Sequence, residues 1–170
     1  MRDIYVTRLE DGKWSAPVAV HKDDWKIPAC PVNGPALSAR GRTVAIAWYT
    51  VKNEKGHAQA AFSKDAGRTF GPPVPLADAD TIGRIDVALL DDGSAVASWI
   101  EVVEKRAEIR IRRIDSAGGR SAAITVAQIE GGRTSGYPRI AQHGDELVFA
   151  WTARDGGLKV QTAVAKLPRP

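Results

Sequence analysis

Apolar positions in this chain fall in short runs, and the runs repeat. Ala45-Ile46-Ala47-Trp48, Val96-Ala97-Ser98-Trp99 and Val148-Phe149-Ala150-Trp151 are near copies, and their tryptophans recur about every 50 residues. Each run follows a glycine turn: Gly41-Arg42, Gly93-Ser94 or Gly144-Asp145. Before each turn lies another apolar stretch, at 36–39, 87–90 and 139–142. Two apolar runs about a glycine turn predict a hairpin, here strands A and B. A polar loop and an alternating stretch follow each tryptophan, at 58–62, 107–114 and 158–164, and predict strand C. Strand D is predicted at 72–76 and 122–129. Glycine and proline interrupt every window, and no apolar stripe of helical period is present.

A four-stranded antiparallel unit at this period predicts a β-propeller blade. The expected fold is all-β, one domain over 1–170, with about three blades at roughly 34–77, 84–129 and 137–165. Strand B is apolar on both faces, as a strand sandwiched between blades must be. Strand C of the second repeat, Arg106 to Arg112, alternates, which predicts one wet face. Glu108 interrupts its arginines and no aromatic interleaves them, so they read as a solvated face rather than a nucleic-acid track. Near the N-terminus, 4–9 reads as a strand C and 14–20 as a strand D, whereas the 137–165 unit has no D. Segment 14–20 is therefore expected to close that last blade. Three blades are too few for a ring, since propellers use about four to eight. The expectation is a homodimer in which two arcs close a six-bladed ring about a twofold axis.

Ser63-Lys64-Asp65-Ala66-Gly67-Arg68-Thr69-Phe70 matches Ser-x-Asp-x-Gly-x-Thr-aromatic between strands C and D. Its chemistry is structural: Ser63, Asp65 and Thr69 bond their own turn, Gly67 takes a positive φ, and Phe70 pins the hairpin. Glu10-Asp11-Gly12-Lys13-Trp14 and Asp115 to Ser121 are weaker relatives. At these residues the chain resembles the Asp-box, or BNR, repeat proteins of the sialidase-like propeller superfamily. It is similar to the C-terminal half of a bacterial sialidase-like protein of unknown function. The resemblance implies a six-bladed ring and a ligand face opposite the Asp-box turns. Sialidases of this superfamily use three arginines, a Tyr–Glu pair, an Asp acid/base and an Arg-Ile-Pro motif. The nearest strings here are Lys26-Ile27-Pro28 and Tyr137-Pro138-Arg139-Ile140, and no catalytic set carries over residue by residue.

Composition excludes several classes. The single cysteine, Cys30, forms no intrachain disulfide and founds no cysteine metal site. The three histidines lack close ligand spacing, so no metal or cofactor is expected. A net charge of +4 on 170 residues is too slight a bias to imply nucleic acid. No apolar run approaches the roughly 20 residues that span a bilayer, and the first residues lack the apolar core of a signal peptide. The upper-face loops are expected at 21–34, 49–57, 77–85, 101–105, 130–138 and 153–157. The longest holds Asp23, Asp24 and Trp25, where Trp25 either stacks on a sugar or caps the loop's own core. Arg84, Asp86, Tyr137 and Arg139 stand where strands A begin, with Glu101 beyond a strand B. The arginines there either hold a carboxylate ligand or pair with Asp86 and Glu101. Two functions follow: a non-catalytic module presenting these residues to a glycan or protein, or a glycoside hydrolase completed by a second chain.

Overall fold

The computed structural model describes residues 1–28, 32–104, 106–130, 136–154 and 157–167; Cys30 lies outside them. Among the described residues every regular element is a strand. The chain opens with a kinked hairpin built from β1 (Tyr5–Val6), β2 (Leu9–Glu10), β3 (Lys13–Trp14) and β4 (Val18–Ala19). β1 pairs with β4 and β2 with β3. The ladder breaks before Pro17, which has no N–H to donate. Ser15 bridges the kink, its hydroxyl accepting from Arg8 N–H and its own N–H donating to Arg8 C=O.

Three antiparallel sheets follow, each in chain order. Blade 1 is β5 (Ala36–Arg40), β6 (Thr43–Lys52), β7 (Lys55–Ser63) and β8 (Val74–Pro75). Blade 2 is β9 (Thr81–Leu89), β10 (Ala95–Val103), β11 (Arg106–Ile114) and β12 (Ile124–Ile129). Blade 3 is β13 (Arg139–His143), β14 (Glu146–Arg154) and β15 (Leu158–Lys166), with no strand beyond β15 among the described residues. These are propeller blades in an all-β chain, two of four strands and, among the described residues, one of three.

The blades stack face to face, and each tryptophan turns toward the unit before it. Trp48 and Ile46 pack with Val20, Ile4 and Val6 of the N-terminal hairpin. Trp99 packs against the alanines of β6 and β7 in blade 1, together with Phe62 and Leu76. Trp151, Phe149 and Leu147 pack against Val96, Ile100 and Ile109 of blade 2. Small residues on one face thus receive an indole from the next blade, as close packing of facing sheets requires. Strands A lie innermost and are tied by side chains. Ser38 accepts from Leu89 N–H, Asp86 accepts from Ile140 N–H, and Arg40 reaches both Asp91 and Gln142.

Three expectations are corrected. The loop read at 49–57 is mostly strand, and those read at 101–105 and 153–157 begin inside strands that run to Val103 and Arg154. β6 runs to Lys52 and β7 resumes at Lys55, through a tight turn in which Asn53 and Glu54 both have positive φ. β9 starts at Thr81, inside the loop expected at 77–85, and carries a bulge opposite Ser98–Ile100, with Gly83 and Arg84 both at positive φ. The arginine strand is not a wet face. Arg112 and Glu108 are buried, because partners distant in sequence reach them: Asp78 and Leu76 C=O for Arg112, Thr125 and Gln128 for Glu108.

Candidate functional site

Of the four carboxylates singled out above, Asp23, Asp86 and Glu101 are each held by structural donors. Asp23 accepts three hydrogen bonds: from the Trp48 indole at 2.7 Å, the Gln59 amide at 2.7 Å and His21 Nδ1 at 2.8 Å. Glu101 accepts from Ala79 N–H at 2.7 Å and from the Trp99 indole at 3.2 Å. The parallel is functional within the fold: in blades 1 and 2 a buried carboxylate receives the N–H of the repeat tryptophan. A buried indole N–H usually finds an acceptor. The acceptor comes from the preceding loop in blade 1 and from strand B itself in blade 2.

Asp86 has a third arrangement. It stands on β9 opposite Ser98, and its carboxylate accepts from Val87 N–H and Ile140 N–H, each at 3.0 Å. Arg139 Nε lies 3.1 Å from it. Arg139 holds the matching position on β13, opposite Ala150, which is the residue before Trp151. The repeat thus places an acid and a base at one register position of consecutive blades, where they pair. The Arg139 side chain is nonetheless 72% exposed, so most of its guanidinium faces solvent. Beside it, the Arg84 guanidinium carbon lies 4.3 Å from the Tyr137 ring centroid, a cation–π contact. Arg84 is buried and Tyr137 is 43% exposed. The left-handed φ of Arg84 is fixed by Asn33, whose amide spans the bulge: its oxygen accepts from Arg84 N–H and its nitrogen donates to Ile82 C=O.

The structure therefore brings Arg84, Asp86, Tyr137 and Arg139 together at the junction of blades 2 and 3, and leaves Glu101 apart with Trp99. Asp23, Asp24 and Trp25 belong to blade 1. Trp25 is buried and meets Tyr49 edge-on at 5.6 Å, so its ring caps the loop's own core. Asp24 is exposed, and its N–H donates to the Asp3 carboxylate. Burial, and to a smaller extent the charge of Asp80, push the Tyr49 hydroxyl upward. A pocket of about 170 Å³ opens beside Asp23, between the 21–23 segment and the β6–β7 hairpin. Its lining adds Thr50, Lys52 and His57, residues that strand-end polarity disguised as loop in the sequence.

The Ser63–Phe70 turn is a closed hydrogen-bond ring. Ser63 Oγ donates to Asp65 and accepts from Gly67 N–H, while Asp65 accepts from Arg68 and Thr69 N–H and from the Thr69 hydroxyl. These bonds, that of the Thr69 hydroxyl first, hold the Asp65 carboxyl well below the usual carboxylate range. Ala66 and Gly67 both take positive φ, and Phe70 packs on the Trp48 cluster. Asp115 builds a smaller version, accepting from Ala117 and Gly119 N–H. Among the described residues no three His, Cys, Asp or Glu side chains converge as metal ligands.

No family model matches the chain, and no curated protein matches it. Solved structures do resemble it. The Hadza microbial sialidase Hz136 superposes with a TM-score of 0.59 at 18% identity, over 95% of this chain and 38% of that one. A thermostable family-43 glycoside hydrolase gives 0.52 at 12% identity, over 79% and 50%. Xylan β-1,4-xylosidase from Bacillus halodurans C-125 gives 0.53 at 13% identity, over 77% and 27%. The chain spans half or less of the length of each. At these identities the likeness is one of fold. The chain has the blade architecture of a β-propeller, the fold of these glycoside hydrolases.

Proposed function

We propose that this chain is a non-catalytic binding module of the sialidase-like, Asp-box propeller type, and that Tyr137 and Arg139 contact its glycan or protein ligand. One observation carries the reading: three of the four candidate carboxylates, Asp23, Asp86 and Glu101, are engaged in holding the blades. Most glycoside hydrolases use two carboxyl groups flanking one bond, and the sialidase variant, with a Tyr–Glu pair, still needs a free carboxyl as acid/base. Asp23 and Glu101 hold indoles, and Asp86 holds the β13 backbone and Arg139. By contrast, Tyr137 and Arg139 present an aromatic ring and a cation to solvent side by side, positioned from beneath by Arg84 and Asp86. Such a pair suits the face of a sugar or an acidic side chain.

The module is proposed to act as a homodimer. The support is the apolar surface left on blade 3, where Val160, Val164 and Leu158 of β15 are exposed. Exposed apolar strand edges are removed in soluble proteins by pairing or cover. A second copy that laid its N-terminal hairpin along β15 would supply both. The competing reading, a glycoside hydrolase completed by the second copy, draws on the enzymes whose fold this chain shares. A panel of fluorogenic glycosides and a glycan array separate the two. The expected outcome is no turnover, with array or protein binding that Tyr137→Ala and Arg139→Ala weaken at least tenfold without unfolding. Turnover abolished by Asp86→Asn or Glu101→Gln in a folded protein would remove the module reading.

A further inference from the structure

We propose that the pocket between residues 21–23 and the β6–β7 hairpin binds a tetrahedral oxyanion, a phosphate or sulfate group. The site is separate from the Tyr137–Arg139 patch and does not depend on the reading given to that patch. Its volume, about 170 Å³, accommodates an oxyanion headgroup.

The lining is cationic and comes from two segments. Lys22 approaches from the loop, and Lys52 and His57 from the hairpin. A lysine ammonium carries three donors, and an imidazole carries at least one N–H in every protonation state it adopts here. Among the described lining residues the one acid is Asp23, which accepts from the Trp48 indole, the Gln59 amide and the His21 ring. Its negative charge is outnumbered by the Lys22 and Lys52 ammonium groups, and the same bonds fix the positions of Gln59 and His21.

An independent observation points to a ligand. Thr50 lines the pocket, is only 4% exposed, and its Oγ1 is buried with no hydrogen-bond partner. Buried hydroxyls are almost always paired, and the pocket wall to which Thr50 belongs is where an acceptor for its Oγ1 can be supplied. Thr50 is directly opposite His57 in the β6–β7 ladder, so both donors are held on one face of a rigid hairpin. The donor type also selects the anion. A carboxylate offers two coplanar oxygens and is best matched by the planar fork of arginine, and no arginine lines this pocket. Two ammonium groups and an imidazole, carried on two different segments of the wall, suit the three or four oxygens of a tetrahedral anion, toward which lysine acts as a point charge.

The three histidines of the chain make the test site-resolved. Inorganic phosphate is titrated at constant ionic strength while the imidazole signals of His21, His57 and His143, assigned from single His→Gln variants, are followed by NMR. Saturable shifts of His21 and His57 with His143 unmoved are expected. Lys52→Ala should weaken binding at least tenfold. Thr50→Val, which keeps the shape and removes the hydroxyl, should weaken it severalfold while the folded spectrum persists. Glucose 6-phosphate and acetate form two further arms. Tighter binding of the ester identifies a phosphorylated small molecule as the occupant, and equal binding identifies free phosphate. Acetate binding as well as phosphate would overturn the tetrahedral assignment. Equal movement of all three histidines, no saturation at tens of millimolar, or unchanged affinity in both variants would overturn the site.

Discussion

Blades 2 and 3 are written on one pattern and end in different conditions. In blade 2 both faces of β10 are covered, and nearly every side chain from Ala95 to Glu101 is buried. In β14 burial alternates: Leu147, Phe149 and Trp151 are buried, whereas Val148, Ala150 and Thr152 are partly open. β11 is largely buried and β15 is largely exposed, although both are strands C of the same repeat. The tryptophans follow suit. Trp99 donates to Glu101, but the Trp151 indole has no partner among the described residues. A blade is therefore only half specified by its own sequence, and its second face is completed by the next sheet.

The largest effect that sharpens this contrast is truncation of the indole. Trp99→Ala empties a site closed on both sides and removes one of the two hydrogen-bond donors to the buried Glu101 carboxylate. It should cost about 3–5 kcal/mol in chemical denaturation. Trp151→Ala should cost distinctly less, because the strand around it is open on its other face and it leaves no acceptor behind. Equal losses would show that the far face of β14 is covered in solution.

The next effect concerns that far face directly. If a second copy covers β15, light scattering at micromolar concentration should give twice the 18.3 kDa of one chain. Val160→Lys should then return the mass to that of one chain while leaving the fold intact, since Val160 makes little contact within its own chain. A mass of one chain for the unsubstituted protein would end the dimer proposal.

The same contrast explains what could be read in advance. The Trp48, Trp99 and Trp151 runs are local in sequence, and local alternation is what strand and hairpin signals consist of. The blade fold was legible for that reason. The burial of Arg112 was not, because its cover comes from Asp78, which lies on another element and carries no local signature of the contact. Asp23 looked like a loop acid for the same reason: nothing near it in the chain points to Trp48 or Gln59. The Thr50 pocket was hidden by polarity. Thr50 to His57 reads as a loop, yet β6 and β7 run through it almost unbroken, and a polar strand end beside the N-terminal hairpin is what creates the cavity. In the junction cluster, Arg84 and Tyr137 were named from their place at the starts of strands A. Their stacking depends on a bulge that only Asn33, from a different loop, explains.

The smallest effect belongs to the Ser63–Phe70 turn, and its sign is fixed by the titration of Asp65. Hydrogen bonds hold the native Asp65 carboxyl below its ordinary value, so the unfolded chain takes up its proton first as pH falls. The stabilisation is therefore fully present above the unfolded pKa, near about 4, and fades as the solution is acidified below it toward the native value. Asp65→Asn keeps the side-chain shape, removes the charge and gives up one acceptor of the Thr69 hydroxyl bond. The variant should melt below the parent at neutral pH by an amount that is constant down to about pH 5 and then shrinks. Thermal unfolding of both proteins from pH 7 to pH 3 measures the difference. A gap that stays constant throughout would mean the ionised carboxylate is not what holds the turn. A gap that closes, in a variant whose ligand and phosphate binding are unchanged, would place this motif with the scaffold and leave recognition to the opposite end of the strands.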